Sequence, residues 1–171
     1  MSKDLIGKLA LSSRLIPSSG WLMKSEPDVF SIDHLKQMPE QTDHWDGVRN
    51  YQARNMMRDQ MKVGDQVFFY HSNTKEPGIV GIMEIVREGY PDHTALDPES
   101  RYFDPKSSQE NPRWYMVDVR YKRHLQKNIT LTELKQHQAL QEMPLVRRGN
   151  RLSIMPVTTE QWRYILDLES I

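Results

Sequence analysis

Between Asp43 and Asp59 the chain reads DHWDGVRNYQARNMMRD. A tryptophan, Trp45, stands beside Asp46 and Gly47, and Arg49, Asn50 and Arg54 follow before apolar residues recur. A large ring next to cations at a helix start suits the capture of a nucleobase. Free N–H groups at such a terminus favour phosphate. Stacking a base on an aromatic plane contributes ~1–3 kcal/mol and tolerates any base, so identity must be read by hydrogen bonds to the base edge. Arg147, Arg148 and Arg151 form a second basic cluster in LVRRGNRLS, and RYKRHLQK from Arg120 to Lys127 is a third. Tyr102 and Phe103 are adjacent aromatics in an otherwise polar stretch.

Catalytic signatures are absent from the spacing. The six histidines are scattered, and no pair has the separation that puts two imidazoles on one helix face. Neither a GxSxG elbow nor a phosphate-cradling glycine loop occurs. Asp43 and Asp46 are close in sequence, but an acid pair in a turn is ordinarily solvated. The rival readings are a metal-dependent hydrolase using Asp46 and Asp104, and a protein–protein adaptor in which Trp45, Tyr102 and Phe103 are simply packed.

Composition sets outer limits. The chain has 171 residues, 23 basic and 23 acidic side chains, and no cysteine. Disulfides, thiolate metal sites and cysteine nucleophiles are excluded together. A reducing, cytoplasmic setting is expected. Zero net charge is less than a protein that coats nucleic acid carries, so contact with nucleic acid should be local. No apolar run approaches the ~18 residues of a membrane span. A monomer is expected.

The elements that must position these residues can be read in turn. Residues 1–20 contain PSSG and read as an extension, with a single domain over residues 21–171. A short strand starts at Trp21 and stops at Pro27. Ser31 caps a helix with Ile32 and Leu35 inward, and Asn50 caps a second with Ala53, Met56, Met57 and Met61 on one stripe, ended by Gly64. DQVFFYHS and GIVGIMEIV form a hairpin, apolar on both faces in its first strand, and Gly81 marks a bulge. From Arg113 to Arg123 Tyr115, Val117, Val119 and Tyr121 alternate with more polar residues, and Thr130 with Glu133 is a capping box. RLSIMPV is a last strand before a helix carrying Trp162. Residues 87–113 are a long aperiodic connection, a length that is often functional when ordered. Strands and helices without βαβ regularity give an α+β fold with a small, mostly antiparallel sheet or barrel.

WLMKSEPDVFSI, WDGVRNYQARN, VGDQVFFYHS, GIVGIMEIV, DPESRYFDPKS, PRWYMVDV and RLSIMPVT, in this order, closely resemble the EVE domain family. The resemblance implies a PUA-like fold, a small β-barrel flanked by helices. It is similar to the YTH domain, which holds a methylated base in an aromatic cage. It implies a non-catalytic reader of modified bases in DNA or RNA, with no cofactor and no metal. By that likeness Trp45 opens the cage, Tyr102 or Phe103 supplies a second wall, Lys24 and Ser25 contact the base, and Asp46 and Gly47 shape the floor. Arg49, Asn50, Arg54, Arg147 and Arg151 are the candidates for holding the nucleic-acid backbone.

Overall fold

The computed structural model describes residues 20–170; the expected N-terminal extension lies outside them apart from Gly20. Six strands form one sheet in the order β2-β5-β4-β3-β1-β6. They are β1 (Gly20–Ser25), β2 (Thr42–His44), β3 (Gln66–His71), β4 (Gly78–Pro91), β5 (Tyr115–Thr130) and β6 (Ile154–Val157). Only β1 and β3 run parallel; the other neighbours are antiparallel. The α+β, mostly antiparallel expectation holds, but the sheet keeps β2 and β6 as open edges and does not close into a barrel.

The two central strands are buried on both faces, and their alternation divides the core. Met23, Val67 and Phe69 face one side with Met83, Ile85, Val117 and Val119. That side is covered by Ile32 and Leu35 of α1 (Ile32–Gln37) and Ala53 of α2 (Tyr51–Asn55), with Met56, Met57 and Met61 following. Leu22, Phe68 and Tyr70 face the other side, against Leu134 of α3 (Leu131–Leu134) and Trp162, Ile165 and Leu168 of α4 (Thr159–Glu169). There Trp162 stacks on Phe68 at 3.8 Å between ring centres. Each such side chain contributes ~1.5–3 kcal/mol by leaving water.

Local chemistry starts the helices as the sequence predicts. The Ser31 hydroxyl accepts from the His34 N–H, and the His34 ring accepts from the Ser31 N–H. Asn50 accepts from the Ala53 N–H, and Thr130 from the Glu133 N–H. The end of α2 differs. A wide π turn over Met56–Gln60 continues it and stops at Met61, so Gly64, at φ +93°, serves the turn into β3 rather than ending the helix. Gly81 sits at a shift of register between β4 and β5, as expected of a bulge. A β-carbon there would stand 1.9 Å from Ile32 Cδ1, so the missing side chain is what lets α1 lie on the sheet. β4 and β5 run longer than their sequence patterns, and the aperiodic connection shrinks to residues 92–114. No helix among the described residues is long and apolar enough to cross a membrane.

Candidate base-binding site

A cavity of about 730 Å³ opens where β1 ends, beside the segment that follows β2. Its lining includes Lys24, Ser25, Trp45, Asp46, Gly47, Arg49, Tyr102 and Arg151. The fold therefore brings together residues from four distant stretches that the sequence singled out. Phe30, His44, Arg101 and Ser153 join them.

Trp45 is placed by the sheet. Its N–H donates to the Val117 carbonyl at 2.8 Å, just past the paired residues of β2 and β5. The indole meets Phe69 edge-on at 5.4 Å and Phe30 at 6.3 Å. Only 7% of the residue is exposed, and it belongs to the core. Trp45, read from the sequence as a ring at a helix start free to capture a base, is corrected to a core residue that also bounds the cavity. An indole held by two aromatic edges cannot swing away, which suits a wall.

Gly47 explains the position of the second ring. Its φ is +79°, and a β-carbon would lie 2.5 Å from Tyr102 Cζ. The phenol rests directly on the glycine backbone, so any side chain at 47 would push it off. Phe103 is 40% exposed and does not line the cavity; of the two adjacent aromatics, Tyr102 alone reaches the site.

The hub under this arrangement is Asp92, whose side chain is fully buried. Its carboxylate accepts from the Gly47 N–H at 2.9 Å, from Arg49 Nη1 at 3.0 Å, and from the Thr94 N–H and hydroxyl at 2.9 and 2.6 Å. Burial pushes the carboxyl up, but the hydrogen bonds from Thr94, Gly47 and Arg49 outweigh it and hold its pKa below the ordinary value. Arg49 in turn donates to the Tyr102 carbonyl from Nη2 at 2.7 Å and Nε at 3.2 Å, to the Val48 carbonyl and to the Thr94 hydroxyl. Its guanidinium lies 5.6 Å from the Tyr102 ring and 5.3 Å from that of Trp114. Arg49 is an internal brace, with its donors engaged inside the protein, rather than the phosphate contact expected of it.

The other expected backbone contacts separate. Asn50 spends its side-chain oxygen as the cap of α2. Arg54 donates to the Arg113 carbonyl and to Asn55. Neither lines the cavity. Arg151 does line it, whereas Arg147 pairs with the exposed Glu142 and borders a different hollow. Asp104 is also elsewhere, accepting from the Trp114 indole at 2.7 Å and paired with Arg113, so the Asp46–Asp104 arrangement of a hydrolase does not assemble in the cavity. Among the described residues no group of three or more His, Asp or Glu side chains could hold a metal ion.

Asp46 lines the cavity together with Asp43 and Glu26. Burial raises the Asp46 pKa, the charges of Asp92 and Asp43 push the same way, and His44 and a backbone hydrogen bond oppose them. His44 Nε2 stands 3.9 Å from its carboxylate. Lys24 is lowered by burial, and its N–H donates to the Ser153 carbonyl, which ties the end of β1 to the chain ahead of β6. Ser25 donates its hydroxyl to the Phe30 carbonyl at 2.6 Å, so it shapes the rim. The cavity thus offers aromatic walls, one desolvated carboxylate and cations at its edge.

The EVE domain model matches residues 19–168. The chain belongs to the EVE domain family. Thymocyte nuclear protein 1 from Homo sapiens is 51% identical over 169 residues, covering 89% of this chain and 74% of that relative. The crystal structure of human THYN1 protein in complex with 5-methylcytosine containing DNA superposes with a TM-score of 0.86 at 50% identity, covering 90% of this chain and 99% of that one. A protein from Pseudomonas syringae gives a TM-score of 0.84 at 51% identity, over 88% and 99% of the two chains. This EVE domain therefore shares its open, helix-flanked sheet with eukaryotic and bacterial relatives. Sequence reasoning missed the lining residues Phe30, His44, Arg101 and Ser153, and beneath them Asp92. The Pro91-Asp92-His93-Thr94 run signals an Asx-type cap, which forms, but nothing local signals a partner at Arg49.

Proposed function

We propose that this chain is a non-catalytic reader of a modified base in DNA, with 5-methylcytosine the first candidate, and that the base enters the cavity bounded by Trp45 and Tyr102. The observation that carries the reading is that cavity: about 730 Å³, with an indole, a phenol and a desolvated carboxylate on its lining. Its volume is in the range of small-ligand sites. The DNA complex of the human relative at 50% identity supports both the class of base and DNA over RNA.

Each group has a task in this reading. The two rings bind the faces of an extruded base, an extrusion that costs a few kcal/mol and is offset by stacking. The Asp46 carboxylate accepts from the exocyclic amine of cytosine. Lys24, Ser25 and Gly47 border the base, and Arg151 neutralises the adjoining backbone. The methyl group adds ~0.8 kcal/mol through burial, roughly a fourfold preference. Selection by a pocket is consistent with zero net charge. The function requires only that the chain share a compartment with DNA; its vertebrate relatives are named as nuclear proteins.

Calorimetry with matched duplexes carrying 5-methylcytosine or cytosine tests the reading. Tyr102→Ala removes one wall from a half-buried position. It is expected to weaken binding by about 1–3 kcal/mol, roughly fivefold to 150-fold, with an unchanged melting temperature. Equal affinity of the variant and the parent, or no preference for the methylated duplex in the parent, would reject the pocket as a reader.

A further inference from the structure

A second hollow of about 600 Å³ adjoins the first, and Lys24 lines both. Its wall carries Lys24, Lys135, Arg147 and Arg148 and no acidic residue. Some cations elsewhere are closed by carboxylates, Arg120 and Lys122 by Glu84 and Arg123 by Glu169, and others such as Lys75, Lys106 and Arg163 have no ion pair among the described residues. What sets this hollow apart is that four cations share one concavity whose lining holds no acid. Arg147 keeps a pairing with Glu142, but Lys24, Lys135 and Arg148 have no ion pair among the described residues. Like charges gathered on one concavity repel one another, and a concavity of one sign concentrates anions. The uncharged part of the wall is mixed: Leu131, Leu145 and Val146 are apolar, and Tyr70 adds a polar group. Tyr70 lines the hollow, and burial pushes its phenol up to about 12, so it remains an O–H donor.

We propose that this second hollow is a phosphodiester site, taking the backbone of the strand whose modified base occupies the first cavity. Lys24 would stand between base and phosphate, with Lys135 and Arg148 completing the anion site. The proposal rests on the base-reading function above and assigns to it the contacts that hold the strand in register. It also replaces Arg49, Asn50 and Arg54, whose side chains are engaged within the protein, as the source of backbone affinity.

Lys135 and Arg148 are exposed, so Lys135→Gln/Arg148→Gln leaves the fold intact. Titrating a duplex with one 5-methylcytosine between ~50 and ~200 mM salt should show the slope of log affinity against log salt reduced by about 2, about 1 per cation. Affinity should fall on the order of tenfold per cation near 0.1 M salt, with the methylated-to-plain ratio unchanged. Lys62→Gln/Arg163→Gln, which removes two cations outside both cavities, should keep the parent slope. An unchanged slope in Lys135→Gln/Arg148→Gln, or an equal loss in the control, overturns the phosphodiester site. Weaker binding of inorganic pyrophosphate with unaltered DNA affinity would make the hollow a site for a separate anion and overturn its assignment to the strand. If the parent fails to distinguish methylated from plain duplex while the slope still drops, the base-reading function falls and the phosphodiester site stands. No binding of either duplex by the parent overturns both.

Discussion

The two hollows that meet at Lys24 are built in opposite ways. The first is fastened to the core: Trp45 packs on Phe69, and Gly47, Arg49 and Thr94 converge on the buried carboxylate of Asp92. The second is bordered by exposed cations on the Arg147–Asn150 turn and just after α3. Discrimination by a methyl group is a matter of tenths of an ångström, so walls that select must not move. Attraction of a phosphate falls off gradually with distance, so cations that hold need only be near. The difference teaches where substitutions should hurt. Changes to the anchored groups of the first hollow, Trp45 and the Asp92 hub, should disturb folding as well as binding; changes around the second should disturb binding alone.

The largest expected effect tests the fastened side. Trp45→Ala should destabilise the protein by about 3–5 kcal/mol, because it empties a large core site as well as removing a wall. Chemical denaturation measures this directly. A stability within experimental error of the parent would show that the indole is not anchored, and the contrast between the hollows would lose its basis.

Next in size is the hub. Asp92→Asn keeps the shape but removes the charge that Arg49 and three N–H or O–H donors converge on. Loss of charge-assisted hydrogen bonds of this kind costs about 1.5–3 kcal/mol. Because the folded pKa of Asp92 is lowered, its contribution is complete above the unfolded value of about 3.9 and is lost as pH falls through the lowered folded value. Melting curves of parent and variant should therefore differ most near neutrality and converge in strong acid. A constant gap at all pH would mean that Asp92 acts by packing alone.

How much of this was legible in the sequence follows the same division between local and distant causes. The caps at Ser31, Asn50 and Thr130 were readable because donor and acceptor lie within one turn of each other. The doubly buried β3 was readable from its unbroken apolar run. Lys24, Ser25, Trp45, Asp46, Gly47 and Tyr102 were picked out by residue type and family resemblance, and they do share one cavity. The choice between Tyr102 and Phe103 was not readable, since it depends on which ring meets the Gly47 backbone, 55 residues earlier in the chain. Nor could an arginine beside a tryptophan reveal that Asp92 and the Tyr102 carbonyl had already claimed it. Charge in a sequence announces a cation; only the fold decides whether the cation is spent inside.

The smallest effect separates selection from holding within the first hollow itself. Asp46 is desolvated there, so its carboxyl ionises at a higher pH than an ordinary aspartate. The raised value favours folding at low pH and disfavours it slightly above, which is a strain tolerated at the site rather than a source of stability. The ionised form accepts a hydrogen bond from the cytosine amine more strongly than the neutral acid does. Affinity for the methylated duplex should therefore decline as pH falls through that raised pKa. Asp46→Asn retains an acceptor oxygen without the titration. It should bind about 1 kcal/mol more weakly at neutral pH, roughly fivefold, and its affinity should change less on acidification than that of the parent. Affinity measured by calorimetry across the acid range decides the point. Superimposable pH profiles for parent and Asp46→Asn would remove Asp46 from base recognition and leave it as an acid that the walls merely enclose.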